Sequence, residues 1–221
     1  MSVRTVIQRG PKGKKTAAFA IDWPGWSRGA KTPEVAVETL EAYRERYRPV
    51  ARLAALEREF DAAGALDVIE DSVGTGSTDF WGISFAASSF EEGPMPLDEL
   101  ERKIALLEAA WQFFDDVVAR VSPTMRKGSR GGGRDRDEVV GHTFRTEAGD
   151  FAKQIGVASS VERMLTPDGS REHRAQFVAA VRQYNAENRK AGRTSTLPFL
   201  VRHTAFHVLD HAWEMEDKDL S

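Results

Sequence analysis

The chain has 221 residues, and its 31 lysines and arginines nearly balance 34 aspartates and glutamates, giving a formal charge of −3. This length suits one large or two small globular domains, and the balanced charge argues against a nucleic-acid-binding protein. No cysteine is present, which excludes disulfides, a cysteine nucleophile and thiolate ligands. Histidine and carboxylate remain as the strong metal ligands.

The sequence contains no pattern typical of export or membrane insertion. Its first residues, MSVRTVIQRGPKGKK, lack the apolar core of a signal peptide. A run of about 18 apolar residues, as a membrane-spanning helix needs, does not occur either. We therefore expect a cytoplasmic protein that does not associate with a membrane.

The first ninety residues predict a small α/β segment. TAAFAIDW (16–23) has the apolar and β-branched character of a strand, and Pro24-Gly25 predicts a turn after it. Thr32 is a suitable N-cap for a helix that we expect Pro49 to end or kink. A second helical stretch is expected at about 51–63.

Two further strands are predicted after these helices. LDVIEDSV (66–73) and DFWGISFAASS (79–89) are strand-like, and the glycine-rich GTGST between them is typical of a hairpin loop. The expected order of the first segment is therefore β-α-β-β.

The second half predicts four successive helices. The polar, proline-containing EEGPMPLDE (91–99) suggests a boundary between domains of residues 1–92 and 93–221. An apolar stripe at helical spacing follows and ends before Ser122-Pro123, and further helices are expected at Asp137–Ile155, at Ser170–Ala191 and from Thr196 onward. The pattern predicts an α+β protein, mainly α, with a four-helix bundle.

Three histidines recur at four-residue spacing in RHTAFHVLDHAWEMEDK: His203, His207 and His211. A helical i, i+4 histidine pair can chelate one divalent cation, but a useful site needs a third ligand from a facing helix. His142 is the candidate, although it projects roughly opposite to the apolar stripe of its own helix. The alternative is that these histidines are ordinary solvated or packed residues.

FHVLDHAWEMED, from Phe206 to Asp217, resembles the C-terminal motif of the DinB/YfiT-like family of metalloenzymes. GGGRDRDEVVGHTFRTEAGDFAKQIG (131–156) looks like the second bundle helix of that family with its preceding loop. The resemblance covers residues 96–221 and implies a DinB-like bundle with metal ligands His142, His207 and His211. It leaves His203 outside the motif, as a neighbour of the site or a packed residue.

AFAIDWPGWSRGAKTPEVAVETLEAY, from Ala18 to Tyr43, is similar to the HicB-like antitoxin pattern of strand, Pro-Gly turn, exposed loop and helix. The chain departs from that pattern at Glu34-Val35-Ala36, where two glutamates usually precede the alanine. We expect a HicB-like domain that packs on the bundle or covers it, and no nucleic-acid partner, because no basic DNA-binding motif accompanies it.

The DinB/YfiT resemblance implies a metal-dependent enzyme, either a thiol-dependent transferase or a hydrolase. The implied cofactor is zinc or nickel, with an exogenous low-molecular-weight thiol, a small-molecule substrate and a homodimer. Three imidazoles leave coordination positions open, as catalytic sites do, and such an ion lowers the pKa of bound water to about 7 or ionises a thiol.

A different class of function stays open at this point. In this alternative, the chain is a non-catalytic binding or regulatory protein, with a HicB-like recognition domain and a structural or vestigial metal site. The basic, glycine-rich loop from Arg126 to Arg136 either contributes to such binding or is a solvated linker.

The carboxylates beside the histidine pair, Asp210 and Glu214, have two interpretations. Glu214 projects to nearly the same side as His207, where a carboxylate orients an imidazole or acts as a base. We expect both to be ordinary surface carboxylates, since Asp and Glu are mostly exposed. Trp111, Phe206 and Trp213 are predicted core residues, and the catalytic residues are unknown.

Overall fold

The structure, a computed structural model, describes residues 1–128, 133–193 and 195–221. A four-stranded mixed sheet with short helices forms the first half, and longer helices form the second. The predicted α+β class, mainly α, is confirmed.

The sheet has the strand order β3-β2-β1-β4. The first half contains β1 (Val3–Arg9), β2 (Thr16–Ala20), β3 (Ser27–Ala30), α1 (Pro33–Ala42), α2 (Arg44–Leu53), α3 (Glu57–Asp61), β4 (Leu66–Val73) and α4 (Gly76–Trp81). β1 pairs antiparallel with β2, with Val6 opposite Phe19, and parallel with β4, with Val3 opposite Leu66. Because three strands precede the first helix, the predicted order β-α-β-β is wrong.

Residues 79–89 do not form the predicted strand, and GTGST is not a hairpin loop. Gly76–Trp81 is a short helix that the left-handed Gly82 ends, at φ 71°. The buried Asp79 carboxylate accepts the backbone N–H groups of Lys12 and Lys14, each at 2.8 Å. These contacts with the β1–β2 turn are made between distant parts of the chain and override the strand-like composition.

The first helical stretch breaks at Tyr43 and not at Pro49, which lies inside α2. The buried indole of Trp26 donates a hydrogen bond to the Leu40 carbonyl at 2.8 Å. The Tyr43 N–H also bonds this carbonyl, at 3.1 Å. The Leu40 carbonyl is therefore used by Trp26 and Tyr43 where a continuous helix would pair it with the Arg44 N–H.

Helices also form the second half. They are α5 (Leu97–Arg120), α6 (Arg136–Thr146), α7 (Val161–Met164), α8 (Pro167–Ala186) and α9 (Leu197–Lys218). The sequence does not predict α7, and the four-helix bundle stays a prediction. α6 begins after Asp135 and continues through a π-helical turn (Glu147–Phe151) and a 3₁₀ turn (Ala152–Ile155). The predicted third helix is displaced, since it starts at Pro167 and ends at Ala186. Residues 129–132 of the predicted basic loop lie outside the described residues.

Buried side chains from both halves pack in one hydrophobic cluster. It includes Trp23, Leu40 and Tyr47 from the first half and Leu107 and Trp213 from the second. The domain division at residue 92 stays a prediction. Within the described residues, no helix combines the length and the apolar character that a bilayer span requires.

A buried ion pair joins α9 to the first half of the chain. The Arg202 guanidinium donates to both carboxylate oxygens of Glu91, at 2.6 and 3.0 Å, and both residues are almost fully buried. It also reaches the Ser84 hydroxyl at 3.1 Å and lies 3.8 Å from the ring centroid of Phe19. Removing either charge leaves the other without its main partner in the interior.

We expect Arg202→Met to lower the free energy of unfolding by about 3 to 5 kcal/mol, because Glu91 is then a buried, uncompensated carboxylate. Adding Glu91→Leu should recover most of that loss. Urea denaturation measures both. The exposed pair Arg182–Glu101 is the control, and Arg182→Met should cost at most about 1 kcal/mol. Equal losses in the two single variants would contradict this account.

Candidate metal centre

α9 carries two of the three candidate ligands. The helix starts at Leu197, where the Thr196 hydroxyl accepts the Phe199 N–H, and Pro198 lies in the first turn. His207 and His211 lie one turn apart on one face of this helix, with ring centroids 4.6 Å apart. His211 is buried and His207 is partly exposed. The i, i+4 spacing therefore places both imidazoles on one side, as predicted.

α6 brings the third histidine to this pair. Asp135 caps the helix, and its N–H bonds the Glu138 carboxylate at 2.9 Å. The His142 ring lies 5.4 Å from that of His207 and 4.8 Å from that of His211, between centroids. One ligand atom from each of the three histidines lies within 4.8 Å of the other two. His142 thus reaches the pair although it lies off the apolar stripe of its helix.

The donor set fits a divalent cation of the zinc or nickel type. These ions prefer imidazole nitrogen, and tetrahedral bonds of about 2.1 Å place the nitrogens roughly 3.4 Å apart. The ligand nitrogens lie up to 4.8 Å apart here. Binding an ion therefore requires the histidine side chains to move closer to one another, by up to about 1.4 Å. The His207 Nδ1 is buried and has no hydrogen-bond partner among the described residues.

Glu214 holds His211 in place. Its carboxylate accepts from His211 Nδ1 at 2.8 Å and from Lys218 Nζ at 3.0 Å, and it pairs with Arg134 at 3.0 Å. This fixes the His211 tautomer with the proton on Nδ1 and leaves Nε2 free for a ligand bond. Glu214 is only 2 % exposed, so the expectation of an ordinary surface carboxylate is wrong.

The charges around Glu214 keep it ionised. Burial raises the pKa of this carboxyl, but the hydrogen bonds from His211 and Lys218 and the charge of Arg134 outweigh burial. The resulting pKa is about 2. Two cationic side chains and an imidazole N–H therefore surround one buried carboxylate, which can orient His211 across the neutral pH range.

The imidazoles of His142 and His207 are neutral at pH 7. Burial, followed by the electrostatic effect of the nearby His211, lowers the pKa of His142 to about 4. The same two causes lower the pKa of His207 well below its ordinary value. Metal ions bind the neutral form of imidazole, so these two side chains are in their ligand form without losing a proton.

Asp210 does not point to the histidine cluster. Its carboxylate pairs with the Arg28 guanidinium at 2.9 Å, and Arg28 lies 3.6 Å from the centroid of Tyr43 and 4.2 Å from that of Trp213. The Asp210 carboxylate therefore connects α9 to β3. The predicted core positions are confirmed, since Trp111, Phe206 and Trp213 are 2 %, 6 % and 0 % exposed.

The π-helical turn after α6 places the Phe151 ring at the site, a contact that the sequence does not predict. The Phe151 ring contacts both His203 and His207, with centroids 5.4 Å apart in each case. π-helical turns occur frequently at functional sites. The sequence also does not identify Arg134 and Lys218 as partners of Glu214. The i, i+4 spacing of Glu214 and Lys218 is a signal that could have indicated the second of these pairs.

A second polar pair lies in the interior of the bundle. Glu147 and His173 are 1 % and 2 % exposed, and the His173 Nε2 lies 3.5 Å from the Glu147 Oε1. This separation is long for a hydrogen bond. Among the described residues, the three histidines are the one group with enough converging donors to hold a metal.

Comparisons of the chain with protein-family models, curated proteins and solved structures find no match. The DinB/YfiT-like and HicB-like resemblances therefore stay predictions that rest on the quoted motifs.

His203 gives this region a pH-dependent stability. Burial and the charge of Arg202 lower its pKa to about 3, although the hydrogen bond to the Ser84 carbonyl raises it. Below pH 6.5 the unfolded chain gains a proton at this residue that the folded chain does not take up, so stability falls as the pH falls.

His203→Phe should remove this contribution in the metal-free protein. Between pH 7 and 5 we expect the variant to lose up to about 2 kcal/mol less unfolding free energy than the wild type. Urea denaturation in the presence of a chelator measures the difference. Phe199→Leu, which changes a ring beside His203 without a titratable group, should keep the wild-type pH dependence. The same loss in His203→Phe and wild type would refute this assignment.

Proposed function

We propose that the chain is a metal-dependent enzyme that uses His142, His207 and His211 to bind zinc or nickel and acts on a small-molecule substrate. The reaction class is hydrolysis or group transfer. The observation that carries the proposal is the convergence of three imidazole donors from two helices within 4.8 Å. Transfer to or from a low-molecular-weight thiol rests on the DinB/YfiT resemblance alone.

The number of donors favours a catalytic site over a structural one. Structural zinc sites close the coordination sphere with four protein ligands, whereas catalytic sites use three and keep a position for water or substrate. His142 and His207 are partly exposed, so the cluster is not sealed from solvent. A bound divalent ion would supply a Lewis acid at this position.

The residues of the chain have separate roles in this proposal. His142 and His207 present neutral imidazoles without a proton to displace. Glu214 fixes the orientation of His211, and its own charge is balanced by Arg134 and Lys218. This arrangement holds the donors before an ion binds, which reduces the ordering cost of binding.

The second candidate, a non-catalytic binding protein, is favoured by one observation. Phe80 and Trp81 on α4 are 67 % and 61 % exposed and contact each other edge to face, at 4.5 Å between centroids. Exposed aromatic pairs are typical of recognition surfaces. This candidate would be favoured over the enzyme if the metal-free chain bound a specific partner and if replacing Phe80 and Trp81 by serine abolished that binding.

The wild-type chain should purify with nearly one divalent ion per chain, and the combined variant His207→Ala/His211→Ala should lose it. Removing two of three ligands leaves a single imidazole, which does not retain an ion through dialysis. Elemental analysis after extensive dialysis gives the metal content. Equal content in the wild type and the double variant would rule out this centre.

Two further variants sharpen the measurement. His203→Phe removes a histidine one turn before His207 on the same helix and should keep the wild-type metal content. Glu214→Gln should keep the ligands but weaken metal affinity about 10- to 100-fold, because the partner that orients His211 loses its charge. A loss of metal in His203→Phe would move the site along the helix.

A further inference from the structure

An open cavity of about 310 Å³ lies where β3, the end of α1, the segment after α4 and α9 meet. Cavities that bind small molecules start at about 300 Å³, so this one has room for a single small ring system. The residues that line it include three aromatic and three polar ones: Tyr43, Trp81, Phe206, Arg28, Thr39 and Asp210.

This cavity is separate from the histidine cluster. Phe206 and Asp210, which line the cavity, precede His207 and His211 by one residue each on α9. Successive residues of a helix project about 100° apart, so the two sites use different faces of α9. A ligand in the cavity therefore does not need a metal ion at the histidines.

Close backbone contacts hold the exposed ring of Trp81 at the rim of the cavity. A Cβ atom at Gly29 would lie 2.0 Å from the Gly82 carbonyl oxygen, so a side chain at Gly29 would not allow this approach. The Lys15 Nζ donates a hydrogen bond to the Phe80 carbonyl at 2.7 Å. The segment that carries Trp81 is thus fixed to β3 and to the β1–β2 turn. A ligand meets a preformed and solvent-accessible ring, which lowers the ordering cost of binding.

Asp210 is the charged group of the cavity that a ligand can reach. Its side chain is 26 % exposed, whereas that of its partner Arg28 is 8 % exposed and lies against the rings of Tyr43 and Trp213. A carboxylate has about four acceptor positions, which allows it to accept further donors beside the Arg28 guanidinium. The accessible end of this ion pair therefore accepts hydrogen bonds and does not donate them.

The hydroxyl of Thr39 is also an acceptor toward the cavity. It donates its one proton to the Val35 carbonyl at 2.6 Å, and its oxygen can still accept a hydrogen bond. Arg28 and Asp210 are the two charged residues that line the cavity, and their charges cancel. Desolvating a charged ligand is therefore not compensated here, so the cavity favours an uncharged donor.

We propose that this cavity is a second ligand site, which binds an uncharged aromatic molecule that carries N–H donors, such as an amino-substituted heteroaromatic ring. The ring packs on Trp81, offset or edge to face. The N–H groups donate to the Asp210 carboxylate and to the Thr39 hydroxyl oxygen. This inference goes beyond the proposed function and does not depend on it, since no residue of the histidine cluster takes part.

Four fluorinated probes separate the ring, the donor and the charge. 2-Amino-5-fluoropyrimidine has the ring and the donor, 5-fluoro-2-methylpyrimidine the ring alone, trifluoroacetamide the donor alone, and 4-fluorobenzylamine a ring with a positive charge. Titration into the full chain with a chelator present, followed by ¹⁹F NMR, gives each affinity without metal at the histidines. The aminopyrimidine should bind about tenfold more tightly than the methylpyrimidine, as for a hydrogen bond to a charged group. Trifluoroacetamide should bind at least about fivefold more weakly than the aminopyrimidine, because it lacks the stacking ring. The benzylamine should also bind more weakly than the aminopyrimidine.

Variants assign these differences to residues. Trp81→Ala should weaken both pyrimidines alike, by at least about fivefold, and leave trifluoroacetamide unchanged. Arg28→Met/Asp210→Leu replaces the whole ion pair by apolar side chains, which avoids an unpaired buried charge, and should lose most of the preference for the amino group. Thr39→Val, at a partly exposed position, should lose part of it and tests the acceptors again if the double variant fails to fold. Phe90→Ala, at an exposed ring that does not line the cavity, is the control and should match the wild type.

Each outcome supports or overturns the inference. Equal binding of the two pyrimidines by the wild type, or a preference for the amino group that survives undiminished in the acceptor variants, would overturn the role of Asp210 and Thr39. Unchanged affinity in Trp81→Ala would place the ring elsewhere and overturn the site. Tighter binding of the benzylamine than of the aminopyrimidine would overturn the uncharged class of ligand. Since a chelator is present throughout, the result does not depend on whether the histidines bind metal.

Discussion

The burial of α9 is the constraint on which the rest of the structure depends. Of its 22 residues, 17 are buried, so the helix is enclosed on nearly every side and its polar groups need partners. Arg202 pairs with Glu91, and Glu214 pairs with Lys218, Arg134 and His211. His203 and His207 keep a buried nitrogen without a hydrogen-bond partner among the described residues. Both histidines contact Phe151, which lies in the π-helical turn that follows α6.

The first half of the chain also packs against α9. Glu91 holds Arg202, and Phe85 packs on the His203 ring. Arg28 fixes the other flank of α9 through Asp210. These contacts place the α/β half beside the candidate centre. A change in the first half can therefore alter the site without touching a metal ligand.

The features that the sequence predicts well are local. The caps at Thr32 and Thr196, the apolar stripe of α5 and the i, i+4 histidines each depend on residues within one or two helical turns. The features that it misses depend on distant contacts. The helix break at Tyr43 depends on the hydrogen bond from the Trp26 indole. The helix at residues 76–81 depends on the backbone of Lys12 and Lys14, which bonds the Asp79 carboxylate. The burial of Glu214 likewise follows from Arg134 on another segment.

The central claim is that His142, His207 and His211 bind one divalent ion together. X-ray absorption at the metal edge of the zinc- or nickel-loaded chain tests it most directly, because it reports the ligands of the ion itself. The account predicts three imidazole nitrogens at about 2.0 to 2.1 Å, with the remaining positions taken by oxygen ligands. A shell made of oxygen alone, or with a single imidazole, would contradict it.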